Sequence, residues 1–340
     1  MNRIVTFGEI MLRLSPPGYL RFGQADSFDV TYGGGEANVA VSLANYGENV
    51  AFVTKLPDNP IGKAAVASLR QHGVSIENIA WGGDRIGIYF LEKGASQRPS
   101  KVVYDRKSSA IAQVEPPDFN WEKIFEGVQW FHFTGITPAL GSKIADICKT
   151  ACIEAKKAGA KISCDLNYRK KLWSSTEAKT VMSELMKYVD VCIANEEDAE
   201  KVFGIKAINN SIISGELNRQ GYESVAKELA ETFDFEKVAI TLRESISASD
   251  NYWSAMIYDG KECYFSKKYH IHIVDRVGGG DSFGGGLIYG LLNKTDVQEA
   301  LEFAVAASCL KHTVEGDFNE VTLEEVEALA EGDGSGRVQR

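Results

Sequence analysis

Paired cysteines, long apolar segments and an excess of basic residues are all missing from this sequence of 340 residues. Its six cysteines form no CxxC pair and no regular framework, so we expect reduced, mostly buried thiols rather than disulfides or a thiolate metal site. No uninterrupted apolar run reaches membrane-spanning length. Glu9 and Arg13 interrupt the apolar residues near the N-terminus, where a signal peptide would need an unbroken apolar core. These absences predict a cytoplasmic protein that does not contact a membrane.

The charge balance is acidic, with a formal net charge of −10 at pH 7. Nucleic-acid binding is not expected, because no basic face would outweigh the repulsion between this net negative charge and the phosphates of a nucleic acid. An anionic small molecule would therefore have to be held by backbone amides and individual arginines. The hydrophobic fraction of 44% and the charged fraction of 25% are typical of a globular protein with a large core.

The order of predicted elements indicates an α/β fold. In the second two thirds of the chain, apolar strand patterns alternate with helical patterns, which predicts a mainly parallel sheet covered by helices on both faces. Two earlier segments, at about residues 11–32 and 85–110, have the polar alternation of half-exposed strands, and we interpret them as a small β lid. Residues 1–330 should form this domain, with 205–221 as a surface insertion and 331–340 as a disordered tail.

Two glycine-rich stretches each open a predicted helix. The first is residues 33–38, and the second, residues 275–283, places three consecutive glycines between a β-branched strand pattern and an apolar helix. Backbone amides at such a turn lack intrahelical acceptors and favour an anion. Asp281 stands at the mouth of this site, where a carboxylate would repel a phosphate but could accept a proton from a hydroxyl group. A plain helix N-terminus with Asp281 as its cap is the alternative.

Both stretches resemble signatures of the PfkB, or ribokinase-like, carbohydrate kinases. Gly-Gly-Gly-Glu-Ala-Asn at 33–38 is similar to the N-terminal pattern Gly-Gly-x-Gly-x-Asn, with the third glycine one position early. Asp-Arg-Val-Gly-Gly-Gly-Asp at 275–281 is similar to the C-terminal pattern Asp-Thr-x-Gly-Ala-Gly-Asp, with arginine and glycine replacing threonine and alanine. Residues 5–16 and 165–169 most resemble 2-keto-3-deoxygluconate kinases. The resemblance, which covers about residues 3–329, implies a ribokinase-like three-layer α/β/α sandwich with a small β lid.

The resemblance further implies an ATP-dependent kinase that uses Mg²⁺, in which Asp281 takes the proton of a sugar's primary hydroxyl. The amides of Gly278, Gly279 and Gly280 would hold the charge of the transferring group. The implied nucleotide contacts are Asn167, Arg169, Asn195, Thr241, Arg243, Ser245, Gly278 and Gly280. The nucleotide loop is placed at 241–246, although the glycine usual there is missing. Asn195 and Asp198 match a motif that organises Mg²⁺ through water, and a helix capping box is the alternative.

The substrate implied by the resemblance is a sugar acid, most closely 2-keto-3-deoxygluconate. Its implied contacts are Gly34, Gly35, Asn38, Tyr89, Tyr104, Arg106, Arg169, Asp281 and Asp317. Arg106 and Arg169 are expected at the carboxylate and keto end, because an arginine can hold a carboxylate through two hydrogen bonds. The alternatives are a tight turn for the glycines, exposed strand positions for the tyrosines, and surface or ATP-phosphate positions for the arginines. The lid is expected to pair with a second subunit in a homo-oligomer, because its strands should leave one face exposed.

Three other functions are compatible with the sequence. A related kinase could phosphorylate a neutral sugar such as fructose or ribose. Residues 280–284 also satisfy Gly-x-Ser-x-Gly, the serine motif of α/β-hydrolases, with Ser282 as nucleophile and His312 as base, although glycines replace the strand that should precede the serine. The third alternative is a nucleotide-regulated binding protein on a kinase scaffold.

Overall fold

The computed structural model describes residues 3–195, 197–206, 219–334 and 336. The strands within these ranges are β1 (Arg3–Phe7), β2 (Met11–Ser15), β3 (Asp29–Gly33), β4 (Asn49–Leu56), β5 (Ile79–Trp81), β6 (Gly87–Glu92), β7 (Lys101–Asp105), β8 (Trp130–Thr134), β9 (Lys161–Asp165), β10 (Val191–Asn195), β11 (Lys237–Ser245), β12 (Asp250–Tyr258), β13 (Cys263–Phe265) and β14 (Tyr269–His272). The α-helices are α1 (Gly35–Asn45), α2 (Pro60–Gln71), α3 (Trp121–Ile124), α4 (Ser142–Lys157), α5 (Ser175–Leu185), α6 (Asp198–Phe203), α7 (Arg219–Phe233), α8 (Gly279–Asn293), α9 (Val297–Lys311) and α10 (Leu323–Glu331).

A sheet of ten strands forms the centre of the described structure, in the order β13-β12-β11-β10-β9-β8-β1-β4-β5, with β14 paired to β12. The strands from β11 to β5 in this order run parallel, whereas β12, β13 and β14 pair antiparallel. The parallel strands all end along one edge of the sheet. The loops that follow them meet at that edge, which is where such sheets bind ligands.

Helices cover both faces of this sheet. Along β1, Ile4 packs into a core with α1, α2, α8, α9 and α10, whereas Val5 and Phe7 pack into a second core with α3 to α7. This alternation follows from strand geometry, in which successive side chains point to opposite faces. The arrangement confirms the predicted three-layer sandwich with a mainly parallel sheet.

A separate sheet of four strands forms the lid, in the order β3-β2-β6-β7. These strands come from the two separated segments predicted to form it, and β2 joins them by pairing antiparallel with β3 and parallel with β6. On β2, Met11 and Arg13 are buried, whereas Leu12 and Leu14 alternate with them and are partly exposed. The lid therefore has one face toward the body of the protein and one face away from it.

One predicted loop is a strand in the structure, and two other predicted segments lie partly outside the described residues. The loop predicted at residues 241–246 is wrong, because β11 continues as a strand to Ser245 and pairs residue by residue with β12. The missing glycine explains this, since no residue there breaks the strand. The predicted insertion at 205–221 falls largely on residues 207–218, which lie outside the described residues. At the C-terminus, α10 includes Glu331, while residues 335 and 337–340 also lie outside the described part.

The six cysteines are free, and five of them are buried, as the sequence predicted. Cys263, on β13, is partly exposed. Within the described ranges, no helix is both long enough and apolar enough to cross a membrane.

Candidate active site

The N-termini of α1 and α8 meet at Asp281. This residue is the third of α8, and its Oδ2 accepts a hydrogen bond of 2.6 Å from Nδ2 of Asn38 on α1. Oδ1 of Asn38 in turn accepts a hydrogen bond of 3.2 Å from the backbone N–H of Gly34. A Cβ atom on Gly35 would lie 3.6 Å from Oδ1 of Asp281. The two glycine-rich stretches therefore lie together in a single site, where the resemblance implied that Gly34, Gly35, Asn38 and Asp281 contact one substrate.

At two positions of this site, the backbone conformation or its close packing requires glycine. Gly278 precedes α8 with a φ of 82°, in the left-handed region, and a Cβ atom there would lie 2.1 Å from the carbonyl oxygen of Asp317. A Cβ atom on Gly34 would lie 1.9 Å from the carbonyl oxygen of Glu9. Glycine therefore lets the backbone at both helix N-termini pack closely against neighbouring segments while Gly34 and Gly278 line the cleft.

The carboxyl group of Asp281 is half-buried, and its environment changes its pKa. Burial raises its pKa to about 6, and the hydrogen bond from Asn38 and the charges of Arg169 and Lys311 oppose that shift. It is therefore a stronger base than a free aspartate, whose pKa is near 3.9, yet it is mostly ionised at neutral pH. Among the described residues, its side-chain hydrogen bond goes to Asn38 and not to an amide of its own helix. This geometry favours proton acceptance over simple helix capping.

Asp281 lies in a cleft of about 410 Å³ between the lid and the carboxyl ends of the parallel strands. The predicted substrate residues all line this cleft: Gly34, Gly35, Asn38, Tyr89, Tyr104, Arg106, Arg169, Asp281 and Asp317. The predicted nucleotide residues that also line it are Asn167, Arg169, Asn195, Thr241, Arg243, Gly278 and Gly280. Ser245, Gly279 and Asp198 do not line it. A second cleft of about 980 Å³ adjoins it and shares Tyr104, Arg106 and Arg169.

Asp317 is paired within the protein on both of its carboxylate oxygens. Oδ2 accepts a hydrogen bond of 2.8 Å from Nη1 of Arg13, and Oδ1 accepts one from the hydroxyl of Tyr89. Arg13 also donates to Asp275, which opens the second glycine-rich stretch. This buried network fixes the lid strands β2 and β6 to the glycine turn, so any contact of Asp317 with a substrate would be additional to that role. The role of Arg13 could not be predicted from the sequence, because a strand arginine gives no local signal of long-range pairing.

The two arginines predicted at the substrate's acidic end differ in their pairing. Arg106 is buried and donates to the carboxylate of Glu9, whose other oxygen accepts a hydrogen bond of 2.6 Å from Oγ of Ser109. Arg169 is exposed, and no carboxylate of the described residues lies within 4.0 Å of its guanidinium. Arg169 is therefore available to an anionic ligand, whereas Glu9 neutralises much of the charge of Arg106.

Asn195 and Asp198 form the capping arrangement that the sequence allowed. Oδ1 of Asn195 accepts a hydrogen bond of 3.1 Å from the N–H of Asp198, and Oδ2 of Asp198 accepts one of 3.3 Å from the N–H of Asn195. The other carboxylate oxygen of buried Asp198 accepts a hydrogen bond of 3.2 Å from the N–H of Tyr168. Asp198 therefore has a structural role whether or not it also influences a metal ion.

Asp165 is a site residue to which the sequence analysis assigned no role. It ends β9 and lines the cleft, and its pKa is raised well above the usual value by burial and by the carboxylates of Asp198 and Asp281. Within the described ranges, no group of three or more His, Cys, Asp or Glu side chains could hold a metal ion directly. The negative charge of these carboxylates would suit a hydrated Mg²⁺ ion whose remaining ligands do not come from the protein. The position of Asp165 at the end of a parallel strand was the signal available in the sequence.

Ser282 does not form a hydrolase site. It lies inside α8, it is buried, and its Oγ has no hydrogen-bond partner in the described part of the chain. The ring of His312 instead contacts the carbonyl oxygen of Ser308 at 2.7 Å. The nucleophile-to-base contact that the hydrolase alternative needs is therefore missing.

Comparisons with known proteins agree with this geometry. Residues 1–322 match the family described as pfkB family carbohydrate kinase. The crystal structure of 2-dehydro-3-deoxygluconokinase from Thermotoga maritima is 57% identical, covers 97% of this chain and 98% of that chain, and has a TM-score of 0.94. The 2-dehydro-3-deoxygalactonokinase of Haloferax volcanii is 36% identical over 334 residues, which are 98% of each chain. Fructokinase with bound ATP from Xylella fastidiosa shares the fold, with 21% identity, a TM-score of 0.78, and coverage of 97% of this chain and 98% of that chain.

Proposed function

This chain belongs to the pfkB family of carbohydrate kinases, and from that membership we propose that it transfers the γ-phosphoryl group of ATP to the primary hydroxyl of a sugar acid. The acid we propose is 2-keto-3-deoxygluconate, also named 2-dehydro-3-deoxygluconate, which would become its 6-phosphate. The observation that carries the reaction is the carboxylate of Asp281, held by Asn38 at the meeting point of two glycine-rich helix N-termini. The names of the relatives at 57% and 36% identity support the choice of an acid.

In this reaction Asp281 accepts the proton of the sugar hydroxyl while the sugar oxygen bonds to the γ-phosphorus. The bond from that phosphorus to the bridging oxygen breaks in line, and its electron pair leaves with ADP. Amides at Gly278, Gly279 and Gly280 stand at the positive end of α8 and would stabilise the negative charge on the transferring group. Asn38 orients the carboxylate that takes the proton.

We place the nucleotide along the carboxyl ends of β10 and β11. Asn167, Asn195, Thr241 and Arg243 line that part of the cleft, and Ser245 lies further along β11, outside the lining. Mg²⁺ bound to ATP would neutralise charge on the phosphate oxygens. Asp165, Asn195 and Asp198 would hold the hydrated ion, because Asp165 and Asp198 contribute negatively charged carboxylates there.

We place the sugar acid under the lid, against the backbone at Gly34 and Gly35 and beside Asn38 and Tyr104. Because the protein carries a net charge of −10, a carboxylate needs a nearby cation that is not already neutralised. Arg169 meets that condition better than Arg106, since Glu9 pairs with Arg106. We therefore assign the substrate carboxylate chiefly to Arg169.

The position of phosphorylation tests this placement. The product made from 2-keto-3-deoxygluconate and ATP is purified and examined by phosphorus NMR with proton coupling. A phosphate ester on the terminal CH₂ should couple to two protons and give a triplet. A doublet, from an ester on a secondary carbon, would contradict the proposed orientation of the sugar.

A neutral sugar is the second candidate for the substrate. The observation that favours it is the ion pair between Glu9 and Arg106, which lowers the positive charge under the lid. A kinase of fructose or ribose would keep the same base and the same anion-binding turn. The two candidates differ only in the need for an arginine at the carboxylate.

Turnover is expected to fall as the pH drops through about 6, because the proton acceptor Asp281 has a pKa that burial raises to about 6. Protonation removes its capacity to accept the hydroxyl proton, so kcat/KM should decline by about tenfold per pH unit below that value. The measurement is kcat/KM for the sugar at saturating ATP and Mg²⁺ across the acidic range. An acid limb centred near pH 4, the value for an unperturbed aspartate, would contradict the assignment.

We also propose that the lid pairs two copies of this chain. Val30, Leu14, Phe90 and Val103 are directly aligned neighbours on successive strands, so they form an apolar row across the outer face. Val30 is 57% exposed and Val103 is 52% exposed. A second lid would bury this row, whereas the opposite face already covers the cleft.

The Val30→Glu, Val103→Glu double variant is expected to be a monomer, while the wild type sediments as a dimer or a larger oligomer at micromolar concentration. Two carboxylates in a buried apolar row cost too much desolvation for pairing to persist. Ile61→Glu, which places the same charge on an exposed apolar position of α2, is the control and should leave the assembly unchanged. Sedimentation velocity distinguishes these results, and a monomeric wild type would refute the proposal.

A further inference from the structure

Lys311, at the end of α9, has a fully buried side chain with 0% exposure. Fully buried lysines are rare unless a carboxylate pairs with them. No carboxylate of the described residues lies within 4.0 Å of this ammonium group, and its hydrogen bond of 3.1 Å goes to the carbonyl oxygen of Val314. An ammonium group has three donors, so this environment satisfies it poorly. Methionine would fill the same space without the cost of burying a charge.

The side chain of Lys311 packs behind the glycine turn at the start of α8. A Cβ atom on Gly278 would lie 3.2 Å from Cε of Lys311, so the lysine stem supports the backbone that carries the anion-binding amides. Burial is the largest effect on the pKa of Lys311, and it lowers that pKa. The carboxylates of Asp275, Asp317 and Asp281 raise the pKa of Lys311, and the charge of Arg13 lowers it. The charge of Lys311 in turn lowers the pKa of Asp281, against the larger effect of burial.

We propose that Lys311 is a positioning residue for phosphoryl transfer, whose ammonium group lies behind Gly278 and adds a fixed positive charge to the anion-binding turn. This inference rests on the proposed kinase function and adds a residue to its machinery. Gly278 lines the cleft and Lys311 does not, so the charge is placed behind the turn, where it adds to the positive end of α8. Negative charge that develops on the transferring group is therefore stabilised from behind by Lys311 and from the front by the amides.

The test compares Lys311→Met and Lys311→Ala with the wild type at saturating ATP and sugar. In Lys311→Met, kcat should fall by about tenfold to a hundredfold, while KM for the sugar changes by less than about threefold. The thermal midpoint should not decrease, because a buried charge has been removed. Added ammonium or methylammonium should restore part of the kcat of Lys311→Ala and leave the wild type unchanged. Lys294→Met, at the other end of α8, is the control and should retain wild-type kcat.

The pH profile supplies a readout that a purely structural role would not move. The charged groups that interact with Asp281 are Asp165, Arg169, Asp317 and Lys311, and Asn38 donates a hydrogen bond to it. Removal of the positive charge at Lys311 should raise the pKa of Asp281, so the acid limb of Lys311→Met should lie at higher pH than that of the wild type.

Wild-type kcat with an unshifted acid limb in Lys311→Met would overturn the proposal. Failure of both variants to fold would assign the lysine to the fold alone and would also overturn it. A wild type that is inactive on every sugar would instead refute the proposed function. Equal turnover of wild type and variant on any accepted sugar would refute the role of Lys311 while leaving the kinase assignment intact.

Discussion

Asp281→Asn is expected to lower kcat by about 10²–10⁴, while the KM values for ATP and sugar stay within about threefold. Asparagine has the size of aspartate, and its carbonyl oxygen can accept the hydrogen bond that Asn38 donates to Oδ2. It cannot take the proton of a hydroxyl group. Binding should therefore survive, and the step that needs a base should not.

The same substitution should not destabilise the protein at neutral pH. Burial raises the pKa of Asp281 to about 6 in the folded state, above the value near 3.9 of an unfolded aspartate. The folded state therefore binds this proton more tightly than the unfolded state does. As the pH rises between the two pKa values, the contribution of Asp281 to the free energy of unfolding falls, and it stays lower at higher pH. Asparagine removes that penalty, and the thermal midpoint of Asp281→Asn should equal or exceed that of the wild type.

The check is kcat from ADP release, together with a thermal melt at neutral pH. Asp146→Asn is the control, because Asp146 is exposed on α4 and does not line the cleft. It should retain normal turnover. Near-normal turnover of Asp281→Asn in a correctly folded protein would remove Asp281 as the proton acceptor.

Arg169→Lys is expected to raise KM for 2-keto-3-deoxygluconate by about tenfold to a hundredfold, with a much smaller change in KM for ATP. Lysine keeps the positive charge but loses the planar fork that can hold a carboxylate through two hydrogen bonds. Each charge-assisted hydrogen bond contributes about 1.5–3 kcal/mol, which sets the size of the effect. Arg169 suits this role because no carboxylate of the described chain forms an ion pair with it within 4.0 Å.

The control for this substitution is Arg70→Lys, at an exposed position of α2, which should leave both KM values unchanged. Initial rates with each substrate varied at saturation of the other separate the two effects. If Arg169→Lys changes only KM for ATP, the arginine binds the nucleotide, and the carboxylate assignment is wrong. The choice of kinase family would survive that result, because it does not depend on Arg169.

The sequence predicted those parts of the site whose signals are local. Runs of glycine at 33–35 and 278–280 followed by apolar helical patterns located the N-termini of α1 and α8, and Asp281 was named because an anion is unexpected there. The alternation of polar and apolar residues located the lid strands. These features depend on backbone conformation and side-chain periodicity within a few residues.

The partners of buried charged groups could not be predicted, because they depend on contacts between distant segments. Arg106 pairs with Glu9, which is 97 residues away, and this ion pair reduces the charge that the sequence assigned to the substrate. Asp317 meets Arg13 across 304 residues and thereby joins the lid to the body. The extension of β11 to Ser245 also depends on pairing with β12, although the absence of a glycine at 241–246 was a local signal for it.

The measurement that tests the central claim most directly is ADP release by the wild type with a panel of acceptors: 2-keto-3-deoxygluconate, 2-keto-3-deoxygalactonate, fructose, ribose and no sugar. The account predicts release that depends on an acid sugar, with kcat/KM for the preferred acid at least about tenfold above that for either neutral sugar. Equal or greater kcat/KM for fructose or ribose would contradict the sugar-acid assignment. Nucleotide binding without ADP release on any acceptor would contradict the kinase function itself.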